Sequence, residues 1–322
     1  MDTALLKAAT IALADCMKLA RGESVLVVTD SKLLGIGKAL RQAALDLGAD
    51  PVLIEMEPRS RDGEEPPASV AQAMLKSDVV VVPTARSLTH TAARRQACAA
   101  GARVATMPGI LRETMIRCLS ADYYAIAERT RRVTEILTAG SRLRVTSPGG
   151  TDLELPIGGI KAIASTGLIH DRGASGNLPS GEAYLMPVEG ESNGVLVVDG
   201  SMSGIGSLVG KPPLTIRIEK GFAVEIKGGP GAQKLRKKLE PLGAKAFNVA
   251  EFGLGTNDAA IITGSILEDE KILGTIHVAL GNNVSMGGTV DVPVHLDGVV
   301  TSPTVVLDGT KIMEKGALLV AG

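Results

Sequence analysis

Tryptophan is absent from this 322-residue chain, and aromatic residues make up only 2% of it. A surface that binds bases by stacking needs such rings, so single-stranded nucleic acid is not an expected ligand. An excess of charge of one sign is also lacking: the net charge is -1, which leaves no electrostatic reason to bind a polyanion or an anionic membrane. The three cysteines, Cys16, Cys98 and Cys118, are scattered and odd in number, so no disulfide framework is expected and each reads as a small buried hydrophobe. No stretch reaches the roughly 18 unbroken apolar residues of a membrane span. The N-terminal MDTALLKAATIALADCMKLARGE has its apolar run broken by Lys7, Asp15 and Lys18; it reads as an amphipathic helix and not as a secretion signal. The expected location is cytoplasmic, and the expected partner a small molecule, with neither nucleic acid nor membrane.

What is present is apolar material, 45% of the residues, enough for one large or two ordinary cores. Its rhythm changes along the chain. Over 1–138, short β-branched runs alternate with helical patterns: SVLVVTD (24–30), a helix over 32–47, DPVLIEM (50–56), a helix over 69–76, DVVVVPT (78–84), a helix over 91–100, RVATMPG (103–109) and a longer helix over 122–139. Continuous apolar strands between helices predict an α/β domain with a doubly wound parallel sheet, of flavodoxin or Rossmann type. Over 139–322 the pattern is of short strands with Gly or Asp-Gly turns, beginning with a hairpin over 142–157. Only 232–239 and 265–273 look helical there. The second domain is therefore predicted to be mostly antiparallel β (α+β).

Neither glycine-rich segment fits a nucleotide loop. Gly35 and Gly37 lie inside a helical pattern, with Leu40 where a third fingerprint glycine belongs. MSGIGSLVGKPP (202–213) has Ile205 and Pro212 where a phosphate loop needs Gly and a hydroxyl residue.

Chemistry concentrates in the second domain. Of four histidines, His277 lies in TIHVALGNN and His295 in VPVHLDGVV, with Asp297 two residues on. Residues i and i+2 of a strand share a face, so His295 and Asp297 can reach one metal ion, and a neighbouring strand can add His277. Two imidazoles and a carboxylate suit a catalytic metal with open positions. A lone strand histidine is more often a hydrogen-bonded core residue, so the case rests on the clustering. Glu182, after a Pro-Ser-Gly turn, and Glu251, beside a Gly-rich loop, are carboxylates in apolar company, where a partner or a metal is needed.

GNLPSGE, AEFGLGTN, EKILGTIHVALG and HLDGV, in this order, resemble the aminopeptidase T/aminopeptidase S family of metallopeptidases, the thermophilic-type leucyl aminopeptidases. The resemblance implies an N-terminal α/β domain and a C-terminal metal-binding domain. It implies two divalent ions (Zn, Co, Mn or Mg) held by Glu182, Glu251, His277, His295 and Asp297. The implied activity is that of an aminopeptidase, a hydrolase and protease acting on small peptides through a metal-activated water, and the expected assembly is a homodimer. Two family positions differ: Ile272 replaces a Glu and Val284 a Tyr. Glu270, in SILEDEK, is then the candidate catalytic base, with a solvated helix charge as its plain alternative. Asn257 and Asn283 are possible positioning groups, and Gly253, Gly255 and Gly281 are expected to let substrate approach the backbone. Ring-opening 2,5-dihydroxypyridine dioxygenases are also similar, and their single Fe(II) would suit His277, His295 and Asp297; a non-catalytic binding protein is a third reading. The presence of both Glu182 and Glu251 favours the dinuclear hydrolase.

Overall fold

The computed structural model describes residues 2–320. By compactness the chain divides into two units: the residues up to Ala127 with Thr166–Ser180, and Glu128–Ser165 with Gly181 onwards. The division departs from the change of sequence rhythm near 138 in two places: it falls inside the helix Tyr123–Ala139, and the chain returns once to the first unit, to add a strand there.

In the first unit five strands form an all-parallel sheet in the order Asp50–Met56, Ser24–Asp30, Val79–Val82, Arg103–Thr106, Ser175–Asn177, an order found in doubly wound sheets. Val25–Val28 and Val79–Val82 are buried along their whole length, which is why they read as unbroken apolar runs. The edge strand Asp50–Met56 is more open, with Val52 exposed to solvent. Helices Leu34–Asp46, Ala68–Met74, Ala92–Ala99 and Arg112–Cys118 alternate with these strands. The first helix, Thr3–Ile11, passes into a π turn over Ala12–Cys16 and buries Leu5, Ala8, Ala9, Leu13 and Cys16. The strand Ser175–Asn177 has no apolar signature; it is recruited by pairing, and the Thr106 hydroxyl donates to Asn177 Oδ1 at 3.1 Å.

The second unit contains two antiparallel sheets. Eight strands run in the order Phe222–Lys227, Leu214–Glu219, Asn193–Val198, Asp152–Pro156, Arg142–Thr146, Thr304–Leu307, Thr310–Glu314, Ala317–Leu318. Seven run in the order Gly206–Ser207, Ser201–Met202, His295–Thr301, Thr275–Gly281, Val249–Gly255, Glu182–Leu185, Ile163–Ser165. Leu143, Val145, Leu153, Leu196 and Ile216 of the first sheet share one core with Phe252, Leu254, Ile276, Val278 and Val300 of the second. The expected parallel sheet and antiparallel sheets are both present. Of the two helices expected here, Gly229–Leu239 forms, whereas 265–273 is helical only over Ile266–Asp269. Among the described residues no helix is long and apolar enough to cross a membrane.

Candidate metal centre

Alternation along the seven-stranded sheet decides which side chains leave the core. Ile276, Val278 and Leu280 point into the core, so His277 and Ala279 project from the opposite face. By the same rule Ala183 and Leu185 send Glu182 and Tyr184 outward, and Leu296 and Val300 do so for His295 and Asp297. Glu251 and Gly253 alternate with Phe252 and Leu254. All five expected ligands thus stand on one face of four adjacent strands.

Small residues separate them. Ala279 is flanked by Glu251 on one neighbouring strand and Asp297 on the other. Gly253 lies opposite His277, Gly255 opposite Glu182 and Gly281 opposite His295. A Cβ at Gly253 would run into His277 Nε2, and one at Gly255 into the backbone of Ile272. These glycines make room for side chains and backbone of the protein itself, which corrects the expectation that they serve substrate approach.

His277 Nε2 lies 3.1 Å from Glu251 Oε1 and 3.5 Å from Glu182 Oε2. His295 Nε2 lies 3.4 Å from Glu251 Oε2 and 3.3 Å from Asp297 Oδ1. Two triads of ligand atoms result, Glu182–Glu251–His277 and Glu251–His295–Asp297, sharing Glu251. His277 is fully buried, the three carboxylates nearly so, and His295 keeps 34% of its side chain exposed, so the open side is at His295. The Nδ1 of His295 donates to the Asn282 carbonyl at 2.7 Å, and Ser203 Oγ accepts from the Asp297 backbone N–H at 3.1 Å.

Proximity of opposite charges dominates the protonation of this face. Burial opposes a charge on His277, but its hydrogen bond to Glu251 and the charges of Glu182, Glu251 and Asp297 lift it to about 9. Burial acts against His295 too, and Asp297 and Glu251 raise it well above the ordinary value. Burial would raise Asp297 and Glu251, yet His295 holds Asp297 well below the usual carboxylate range, and hydrogen bonds from His277 and His295 lower Glu251.

Sequence reasoning missed Lys271. Its side chain is 2% exposed, its Nζ lies 2.5 Å from Glu182 Oε1, and it also bonds to Glu270. Burial would lower the ammonium, but Glu182 and Glu270 push it up. Burial pushes the Glu270 carboxyl up to about 8 despite the lysine. The run Glu268–Lys271, in which Glu270 is the candidate base and a solvated helix charge its plain alternative, is turned inward. Glu268 and Asp269 bind the backbone of the 261–264 loop, Glu268 through Ile261 N–H, Asp269 through Thr263 and Gly264 N–H. Nothing in the local pattern distinguishes such a run from a surface one. Asn257 contributes backbone, bonding to the Lys271 carbonyl at 2.8 Å and accepting from Leu273 N–H at 2.9 Å. Asn283 donates to Glu189 at 2.7 Å.

The donor set fits a divalent metal ion. Two imidazoles and three carboxylates converge, and Glu182 Oε2 is buried with no hydrogen-bond partner among the described residues. Such a group is costly unless a cation or a donor meets it. One ring follows the usual supporting pattern, with Nδ1 of His295 on a carbonyl. Nδ1 of His277 has no such partner among the described residues, and that ring is accommodated by the bare face of Gly253.

The family model described as NicX, 2,5-dihydroxypyridine 5,6-dioxygenase, matches residues 4–320. The 2,5-dihydroxypyridine 5,6-dioxygenase of Pseudomonas putida KT2440 is 25% identical over 264 residues, covering 76% of this chain and 72% of that protein. Among solved structures, the 2,5-dihydroxypyridine dioxygenase from Pseudomonas putida KT2440 superposes with a TM-score of 0.84 at 21% identity, covering 99% of this chain and 98% of that one. AmpT from Thermus thermophilus superposes with a TM-score of 0.68 at 19% identity, over 98% and 99%. These matches overturn membership of the aminopeptidase family, and with it the hydrolase, aminopeptidase and protease activity expected from the motifs. The physical source of the error is the scaffold. The quoted motifs are the strands and turns that build the candidate face, and the likeness to AmpT shows that this fold is common to both. A dioxygenase family implies a metal cofactor, so the divalent-metal expectation stands in that coarser form.

Proposed function

The chain belongs to the NicX family of 2,5-dihydroxypyridine 5,6-dioxygenases, and from that premise we propose that it opens the ring of a dihydroxylated pyridine with dioxygen, using one Fe(II) ion held by His277, His295 and Asp297. What carries the reading is that the family match takes in every residue of the metal-binding face, from Glu182 to Asp297.

A two-histidine, one-carboxylate set leaves coordination positions open for substrate and dioxygen. Iron(II) bound there would supply the one-electron reactivity that lets dioxygen react with a closed-shell aromatic ring. His295 is oriented by the Asn282 carbonyl, so its Nε2 would be the nitrogen that holds the ion. Ser203, bonded to the Asp297 backbone, holds that carboxylate in place. Glu251, within 3.4 Å of both Nε2 atoms, would offset the charge of the ion.

Glu182 Oε2 lacks a donor, and a ring hydroxyl of the substrate is a donor of the required kind. Transfer of that proton to Glu182 leaves an electron-rich ring, the form that reacts with dioxygen. Both oxygen atoms enter the product, so no leaving group has to be protonated and no base for water is needed. Glu270, the candidate base of the hydrolase reading, is here a partner of Lys271.

The test is oxygen consumption by protein loaded anaerobically with Fe(II). One dioxygen per 2,5-dihydroxypyridine is expected, with no hydrolysis of leucine p-nitroanilide and no uptake by Asp297→Ala. An iron-loaded protein that leaves 2,5-dihydroxypyridine intact in air overturns the reading.

A further inference from the structure

Two overlapping triads bridged by Glu251 are the layout of two adjacent cation positions, with Glu251 facing both. The position at Glu182 already has a cation of the protein's own. Lys271 Nζ sits 2.5 Å from Glu182 Oε1, is bonded on its other side to Glu270, and is sealed from solvent. Its backbone cannot readily withdraw, because Asn257 binds the chain immediately after it, through the Lys271 carbonyl and the Leu273 N–H on either side of Ile272.

We propose that the Lys271 ammonium is the resident second cation of this sheet face and restricts it to a single metal ion. A divalent ion seated on Glu182 and His277 would share that carboxylate with a fixed positive charge. Like charges so close in a buried site repel strongly. The ammonium also pairs with Glu182 Oε1, which weakens the pull of that carboxylate on a second ion. Only the position formed by Glu251, His295 and Asp297 then attracts metal, and His277, bonded to the same Glu251, borders it. Lys271 acts through Glu182 and is a positioning residue that sets metal stoichiometry. The inference rests on the single-iron reading above.

The experiment counts ions. Metal-free protein is saturated with Mn(II), desalted and analysed for manganese per chain, and its spin coupling is read by electron paramagnetic resonance. Wild type is expected to hold one uncoupled ion. Lys271→Met is expected to hold two coupled ions, and Lys271→Arg one. If Lys271→Met folds only when Mn(II) is supplied, and then carries two ions, the metal has replaced the ammonium and the proposal holds. Two ions on wild type, one ion on Lys271→Met, or a Lys271→Met chain that Mn(II) does not rescue would each overturn it. The count is independent of oxygen uptake, so failure of the dioxygenase reading shows only in turnover and failure of this inference only in stoichiometry.

Discussion

His295 donates through Nδ1 to the main-chain carbonyl of Asn282 at 2.7 Å, and a carbonyl can only accept, so the ring is fixed with Nε2 turned toward Asp297 and Glu251. The loop that carries Asn282 is itself held at a distance. Glu189 accepts from Asn283 Nδ2, Thr289 N and Thr289 Oγ1, each at 2.7 Å.

Glu189→Ala should therefore loosen the Asn282 carbonyl and weaken metal binding without touching a ligand. Loss of outer-shell support costs about 10–100-fold in affinity. Calorimetric titration of the metal-free protein with Mn(II), beside an unchanged circular dichroism spectrum, checks this. An unaltered affinity would show that the loop holds its place without Glu189.

Gly253→Ala tests a steric requirement. Its methyl group would fall on His277 Nε2, displacing the imidazole from its place beside Glu251 and Glu182. The expected result is loss of most bound metal and a destabilisation of about 1–3 kcal/mol, as for other overpacked cores. Metal analysis and thermal melting measure both.

Glu182→Gln separates proton transfer from metal binding. The amide cannot take a proton from a ring hydroxyl, and removing a positioned base costs about 10²–10⁴-fold. A fall in kcat of that order is expected, with one iron per chain retained. Loss of the iron would make Glu182 a ligand instead.

Metal binding should strengthen with pH. In the metal-free site His277 is lifted from 6.5 to about 9, so below that pH an incoming ion must displace its proton. Affinity is expected to rise by about tenfold per pH unit for each proton displaced. The metal-free fold behaves oppositely. A raised imidazole stabilises it fully below the unfolded value of about 6.5 and ceases to as pH climbs to about 9. Glu270, raised from 4.5 to about 8, adds a loss over that lower span. The melting-temperature gap between metal-loaded and metal-free protein should widen from pH 6.5 to 9; a constant gap would contradict the assignment.

Much of the site was legible because a strand has period two. HLD announces a His and an Asp on one face whatever the surroundings, and the bond distances bear out that geometry. Glu251 was legible as a carboxylate in apolar company but not as a neighbour of His277. The pairing Val249↔Leu280 is followed by Glu251↔Ala279, so an extra residue enters the Val249–Gly255 strand. That bulge changes the phase, so Val249 and Phe252 both face the core while Glu251 leaves it. The motifs did not distinguish the reaction, because they encode strands and turns of a fold that AmpT also has.

The sequence by itself determined the two rhythms, parallel α/β and then antiparallel β, because burial on two faces or on one writes itself into residue alternation. It also determined which side chains could bind metal, since imidazoles and carboxylates are few and occur in apolar strands. Only the tertiary structure decided that Lys271, from a run of charges that reads as surface, lies buried against Glu182. Such a contact joins residues far apart in the chain, and it depends on the Asn257 backbone pairing that turns the run inward, which no local pattern records.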